Sequence, residues 1–281
     1  MQRLLLGNIE VYHLCASRFR LDGGTMFGVV PKLLWEKVSP PDARNRVELA
    51  CNCLLVRQDQ VLTLVDTGCG STFTSRELEI FAFDPAHSLT KALAANGFTP
   101  DQVTRVVLTH LHFDHAGGAL EWVDGRLRPL FPRARYLVQR GEWADALQGV
   151  SIMKSSYRPE ALLPLKASGQ LHLLDGDTDL DGQLSTWVTG GHTAHHQGLV
   201  VRAGSQTLVY PGELVPTRAH LRPHWNMAYD MFPHHTLTRK KVFLDQALAE
   251  GWIIAWDHDP RVAWSRLVSA GDHCQAAEFE L

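Results

Sequence analysis

Residues 109–118 read Thr-His-Leu-His-Phe-Asp-His-Ala-Gly-Gly, placing four potential metal ligands, His110, His112, Asp114 and His115, within six positions. They follow directly on a short apolar strand expected over 105–109. At an extended strand end, side chains two apart share a direction, so His110 and His112 can grip one cation while Leu111 and Phe113 turn into the core. If the chain then enters a helix near Asp114, that carboxylate and His115 swing to an adjacent position and can hold a second cation. Gly117-Gly118 would let the backbone pass close to such ions. A chain that carries this cluster must bring further ligands to the same place, and this restricts its fold more than any other feature.

The further ligands are expected at later strand ends. Gly190-Gly191-His192 follows a strand expected over 184–189, and His192 is the obvious third imidazole. His195 and His196 could support the ligands from behind, but read better as ordinary loop histidines. Tyr210-Pro211-Gly212-Glu213 ends another strand, over 207–210, and offers a carboxylate where a bridge between two cations is useful. His258, after an apolar strand over 252–256, supplies a final imidazole. Every candidate sits at a strand C-terminus followed by a loop, so all can converge on one rim of a sheet.

Between these points strand and helix patterns alternate. Residues 47–57 and 61–66 read as strands joined at Gln58-Asp59-Gln60, and Asp66-Thr67-Gly68 ends the second. Residues 88–96 have a helical composition with Gly97 as the stop, 135–139 is a strand, and a helix follows around 142–147. The spacing predicts a helix over 237–250, capped by Thr236 or Thr238 and stopped by Gly251. Strands interleaved with helices, without linker or repeat, predict one layered α/β domain over 1–281, with an N-terminal extension over about 1–46. Two apolar loops break the rhythm. Residues 23–41 carry Met26, Phe27 and Trp35, and residues 220–235 carry Trp225 and Tyr229. Such loops line a substrate pocket, contact a second subunit or fold back on their own core.

The bulk properties remove other classes. A hydrophobic fraction of 45% is enough to bury a sizeable core. The net charge is -3 and no Lys/Arg run marks a nucleic-acid track. No apolar span approaches the roughly 18 residues a membrane helix needs, and the N-terminus lacks the apolar region of a signal peptide, so a cytoplasmic location is expected. Five cysteines in irregular spacing argue against a disulfide framework, and Cys51 and Cys53, on one face of a strand, read as core residues.

The run His110-x-His112-x-Asp114-His115, with Gly191-His192-Thr193 and His258-Asp259-Pro260, resembles the metallo-β-lactamase superfamily. Asp66-Thr67-Gly68 is similar to the family's element ahead of the histidine cluster, where the Asp supports a ligand from behind. The resemblance runs from about residue 47 to residue 259 and implies a four-layered αββα sandwich with metals at one rim. The ending His258-Asp259-Pro260 and the loop 23–28 look most like the quorum-quenching N-acyl-homoserine lactonase branch. Two positions depart from it. The family's bridging carboxylate is usually Asp, whereas Glu213 is one methylene longer. The better-known lactonases carry a pocket Tyr three residues later, where this chain has Pro216; Tyr229 is a candidate replacement.

The resemblance assigns one metal to His110, His112 and His192 and the other to Asp114, His115 and His258, with Glu213 shared. It implies two divalent ions, zinc foremost, with iron, cobalt or manganese as alternatives. Metal-bound water loses its proton near neutral pH rather than at about 15.7, so a bridging hydroxide would attack the carbonyl of an N-acyl homoserine lactone. Asp114 would pass the proton to the leaving alkoxide. The expected substrate is a small molecule with an apolar acyl or aryl portion, the expected assembly a homodimer, and Met26, Phe27, Trp35, Trp225 and Tyr229 the expected pocket. A phosphotriesterase or aryl-ester hydrolase is the main alternative, and a non-catalytic metal-binding or ligand-sensing module a lesser one. Di-iron oxidoreductases of this family typically replace the second His by Glu, and His112 argues against that branch.

Overall fold

In Ile9–Asp22 buried and half-exposed side chains alternate for most of its length, the period of a strand with one face on a core. The computed structural model describes residues 2–148, 154–271 and 273–277. In chain order the strands of its first half are β1 (Gln2–Leu6), β2 (Ile9–Asp22), β3 (Arg46–Gln58), β4 (Val61–Val65), β5 (Arg105–Val107), a hairpin of β6 (Leu120–Val123) and β7 (Arg126–Pro129), β8 (Arg135–Gln139) and β9 (Leu171–Leu174). Apart from the hairpin they form one sheet, ordered β1-β2-β3-β4-β5-β8-β9. The second sheet runs in chain order from β10 (Thr178–Asp179) through β11 (Leu184–Val188), β12 (Gln197–Ala203), β13 (Gln206–Tyr210), β14 (Ile253–Ala255) and β15 (Trp264–Ala270) to β16 (His273–Ala277).

Three apolar clusters make the layers. Between the sheets, Leu6, Val56, Val65 and Val107 of the first meet Leu199, Val201, Leu208 and Ile253 of the second, all fully buried. Each such aliphatic side chain contributes about 1.5–3 kcal/mol relative to exposure. The outer face of the first sheet is covered by α4 (Leu89–Ala95), α6 (Arg140–Gln148) and α7 (Pro159–Ala167) through Leu93, Trp143 and Leu165. The outer face of the second is covered by α8 (Pro233–Glu250) through Phe243, Leu244 and Ala247. The layer order is therefore helix, sheet, sheet, helix, as the resemblance implied. The shorter helices α1 (Gly23–Phe27), α2 (Lys32–Trp35), α3 (Ser75–Phe81) and α5 (Phe113–Ala116) lie in the loops of one rim.

Three local expectations are revised. Residues 2–22 are not an extension but two strands of the first sheet, paired through twelve positions of β3 with a bulge between Cys15 and Ser17. Their alternation is hard to see in the sequence because the doublets Val11-Tyr12 and Ala16-Ser17, buried side by side, interrupt the period of two. Helix α8 starts four residues earlier than expected, at Pro233, whose fixed φ suits the first turn, and no side chain caps it. Gly117 and Gly118 do not clear a path for ions: a Cβ on Gly118 would stand 2.1 Å from the carbonyl oxygen of Thr67, and one on Gly117 2.2 Å from that of Cys69. Their role is to let the end of α5 lie backbone-to-backbone against residues 67–70.

Candidate metal centre

Each expected ligand follows the C-terminal end of a strand in the middle of a sheet. Strands β4, β5 and β8 run parallel and deliver Asp66, His110 and α6 to one rim; β11, β13 and β14 deliver His192, Glu213 and His258 to the facing rim. His112 keeps extended backbone (φ -65°, ψ 156°) and stands just before α5, whose first turn carries Asp114 and His115. The change from extended to helical backbone at Phe113 separates the two pairs of ligands. Phe113 itself does not enter the main core. It is half-buried and packs on Phe73 and Phe81, under the guanidinium of Arg158.

All seven residues come together and are buried. His110, His112, His192 and Glu213 each offer an atom within 4.8 Å of the others, and Asp114, His115, Glu213 and His258 do the same. The Glu213 carboxylate belongs to both groups. Its Oε2 lies 2.5 Å from Nε2 of His192 and 3.3 Å from Nε2 of His110, while Oε1 lies 3.3 Å from Nε2 of His258. Ring nitrogens face one another across the centre: Nε2 of His192 is 3.0 Å from Nδ1 of His112, and Nε2 of His115 is 3.2 Å from Nε2 of His258.

Behind the ligands a set of oxygens fixes the rings. Nδ1 of His258 donates to the carbonyl of Ala50 at 2.7 Å, so that when the ring is neutral its lone pair lies on Nε2, on the side of Glu213. Nδ1 of His115 meets Oδ2 of Asp66 at 2.9 Å, and Nδ1 of His192 meets Oδ1 of Asp230 at 3.2 Å. Asp66 also accepts from the backbone N–H of Thr109 at 2.8 Å and from the Tyr210 hydroxyl at 3.2 Å, tying the histidine loop to both sheets. It adopts a left-handed φ of 57°, which Asp tolerates better than most residues. Outer carboxylates that hold a ligating imidazole by its far nitrogen raise its basicity and fix its tautomer.

The charge balance shows what the site is built for. Burial pulls the His110 and His112 rings well below the usual histidine range, reinforced by neighbouring imidazoles. Burial also opposes charge on His192 and His115, yet Glu213 with Asp230 raises the first to about 10, and Asp66 with Asp114 raises the second to about 9. Against its own burial, Glu213 is held well below the carboxylate range by His192, His110 and His258. The cluster thus draws positive charge into a closed space. Nε2 of His112 has no hydrogen-bond partner although it is buried, and Nε2 of His110 lacks hydrogen-bond geometry to any group. Orphaned imidazole nitrogens beside buried carboxylates are costly unless a cation completes them. Five imidazoles and two carboxylates without thiolate fit zinc, iron, cobalt or manganese, so the residues present suit two divalent ions.

The residues expected to form the pocket divide. Trp35 and Trp225 are buried in an aromatic cluster with Phe27, where Phe27 stacks on Trp35 at 5.2 Å and on His220 at 5.0 Å. Met26 and Phe27 also line a cavity of about 350 Å³ shared with Leu49, Thr217, His220 and Asp259; none of the seven ligand residues lines it. Tyr229 shares a hydrogen bond of 2.6 Å with Thr25, which joins the two apolar loops to each other. Pro216 uses its carbonyl to accept the His258 N–H at 3.0 Å.

Several supporting residues carry no local signal. Asp230 sits in a loop of mixed composition. Glu142 sits in the first turn of α6, and His196, expected to be an ordinary loop histidine, is fully buried and accepts the Glu213 N–H. A histidine beside two others, His192 and His195, was the one available hint.

Among known proteins, residues 46–258 match the family described as the metallo-beta-lactamase superfamily. A probable metallo-hydrolase of Mycobacterium tuberculosis is 26% identical over 66% of this chain and 63% of its own length. The N-acyl homoserine lactonase AttM of Rhizobium johnstonii is 32% identical over 64% of this chain and 66% of its own. The chain thus spans less than two thirds of the length of these relatives. A probable metal-dependent hydrolase from Staphylococcus aureus superposes with a TM-score of 0.89 at 26% identity, covering 99% of this chain and 100% of that one. With the match extending over most of its length and the ligand-bearing strand ends all within or at the edge of it, the chain belongs to the metallo-beta-lactamase superfamily.

Proposed function

We propose that this protein is a dinuclear metal-dependent hydrolase that opens the lactone ring of an N-acyl homoserine lactone. The observation that carries the reading is the Glu213 carboxylate, whose two oxygens face two separate groups of histidines. From the end of β13 this one side chain reaches members of both groups. The lactonase among the relatives supports the substrate class.

Divalent ions held by these groups, zinc foremost, would supply a deprotonated water near neutral pH and polarise a carbonyl oxygen. The protein's own residues do the rest. Asp66, Asp230 and the Ala50 carbonyl hold the rings of His115, His192 and His258 in fixed orientation. Asp114 sits with Oδ2 3.7 Å from Nε2 of His258. Burial raises its carboxyl, against the pull of His115; in this reading Asp114 is the group that passes a proton to the leaving alkoxide. Met26 and Phe27, which line the neighbouring cavity, are the candidate apolar wall for an acyl chain, and Tyr229, bonded to Thr25, is the candidate phenol in place of the one Pro216 does not supply. Val29 and Leu33, 89% and 73% exposed on the 23–41 loop, support a homodimer through that face.

Proton release in a pH-stat, from N-acyl homoserine lactones and protein loaded with zinc, cobalt or manganese, tests the reading. Ring opening that depends on metal and vanishes in His112→Ala is the expected result. Full metal occupancy without lactone turnover, but with cleavage of paraoxon or an aryl ester, would replace lactonase by phosphotriesterase or esterase chemistry.

A further inference from the structure

Glu142 is fully buried and belongs to neither ligand group. Burial raises its carboxyl, so the site tolerates a charge there only at a cost that its partners must offset. Those partners are three. Oε1 accepts from the backbone N–H of Leu111 and from the Tyr157 hydroxyl, both at 3.0 Å, and Oε2 accepts from the Thr193 hydroxyl at 2.6 Å. All of these donors are neutral.

Their positions are not scattered. Leu111 lies between His110 and His112. Thr193 follows His192. Tyr157 pairs with His112 as an isolated antiparallel bridge, and its ring packs on the His112 ring at 4.7 Å. Among the described residues, every hydrogen bond of Glu142 therefore ends on a residue adjacent in chain or in contact with a member of the His110, His112, His192 group. None ends beside Asp114, His115 or His258. The second group has its own rear supports, Asp66 behind His115 and the Ala50 carbonyl behind His258. The two loops carrying the three histidines come from different sheets, and among the described residues Glu142 is, apart from Glu213 at the centre, the carboxylate that bonds to both.

We propose that Glu142 is a positioning residue for one metal only, clamping the 110–112 segment to the 192–193 segment so that the three imidazoles converge before a cation arrives. This rests on the dinuclear reading above. Loss of such an outer partner typically lowers metal affinity roughly 10–100-fold.

The test is cobalt(II) titration of apo-protein, read by visible absorption, with each group isolated in turn. In a His258→Ala background, where the three-histidine group remains, Glu142→Gln and the milder Thr193→Val are expected to weaken cobalt binding by roughly 10-fold or more. In a His112→Ala background, where the other group remains, both are expected to leave affinity within about threefold, below the range for a lost outer partner. Thr193→Val breaks a single bond and keeps the side chain's volume, so it reports even if Glu142→Gln does not fold. Equal weakening in both backgrounds, or none in the first, overturns the assignment while leaving the hydrolase reading intact. A wild-type protein that binds no cobalt overturns both.

Discussion

The backbone N–H of Glu213 donates to Nε2 of His196 at 3.2 Å, and the far nitrogen of that ring sits 2.5 Å from the Thr189 hydroxyl. The carboxylate that faces both ligand groups is thus hung on a buried histidine that ligates nothing. Replacing His196 by Leu is expected to leave that N–H unsatisfied and cost about 1–3 kcal/mol of stability, measured by urea unfolding. A change below about 0.5 kcal/mol, the level of an ordinary surface substitution, would show that the ring does not hold Glu213.

Glu213→Asp and Glu213→Ala separate reach from charge. Asp keeps the carboxylate but shortens it by one methylene, so it is expected to retain metal with reduced affinity, whereas Ala loses the shared ligand of both groups. Metal content after gel filtration decides the matter. Full stoichiometry in both variants would remove Glu213 from the ligand set.

Gly118→Ala places a methyl carbon 2.1 Å from the Thr67 carbonyl oxygen, a backbone atom with no rotamer to yield. Overpacking of this kind costs about 1–3 kcal/mol or more, and here it separates α5 from the segment that carries Asp66. The variant is expected to melt several degrees lower and to bind metal more weakly. A thermal midpoint equal to wild type would contradict the close packing.

His220 makes stability depend on pH. Burial holds its ring down to about 4, with Nε2 donating to the Met26 carbonyl at 2.9 Å and Nδ1 2.8 Å from the Thr217 hydroxyl. The folded value lies below the unfolded one of 6.5, so the contribution is present above pH 6.5 and is lost as pH falls towards 4. The full effect is about 3 kcal/mol. His220→Gln is expected to flatten the decline of stability between pH 6.5 and 4 while lowering stability at pH 7. An unchanged slope in urea unfolding across that interval would exclude His220 as its source.

The seven ligand candidates and Asp66 were legible in the chain because each combines a distinctive side chain with the end of a short apolar strand. Period and punctuation place such ends, and a layered α/β domain gathers them on one rim. The αββα order was legible through resemblance, and the helices 88–96 and 142–147 through local composition. The strands at 2–22 were not, since buried doublets interrupt the alternation of the longer one.

Apart from Asp66, what stands behind the ligands was decided by tertiary structure. Asp230 meets His192 across 38 residues, Glu142 meets Leu111 across 31 and Thr193 across 51, and His258 bonds to Ala50 across 208. Glycines 117 and 118 serve a backbone contact with residues 67–70, and Trp35 and Trp225 are committed to a buried aromatic cluster. Local sequence determines backbone period, turns and the kind of chemistry a loop can offer, because those depend on neighbours within a few residues. Which buried oxygen stands behind which imidazole depends on how two sheets pack, and that is set by the sum of long-range contacts, which no short stretch of sequence encodes.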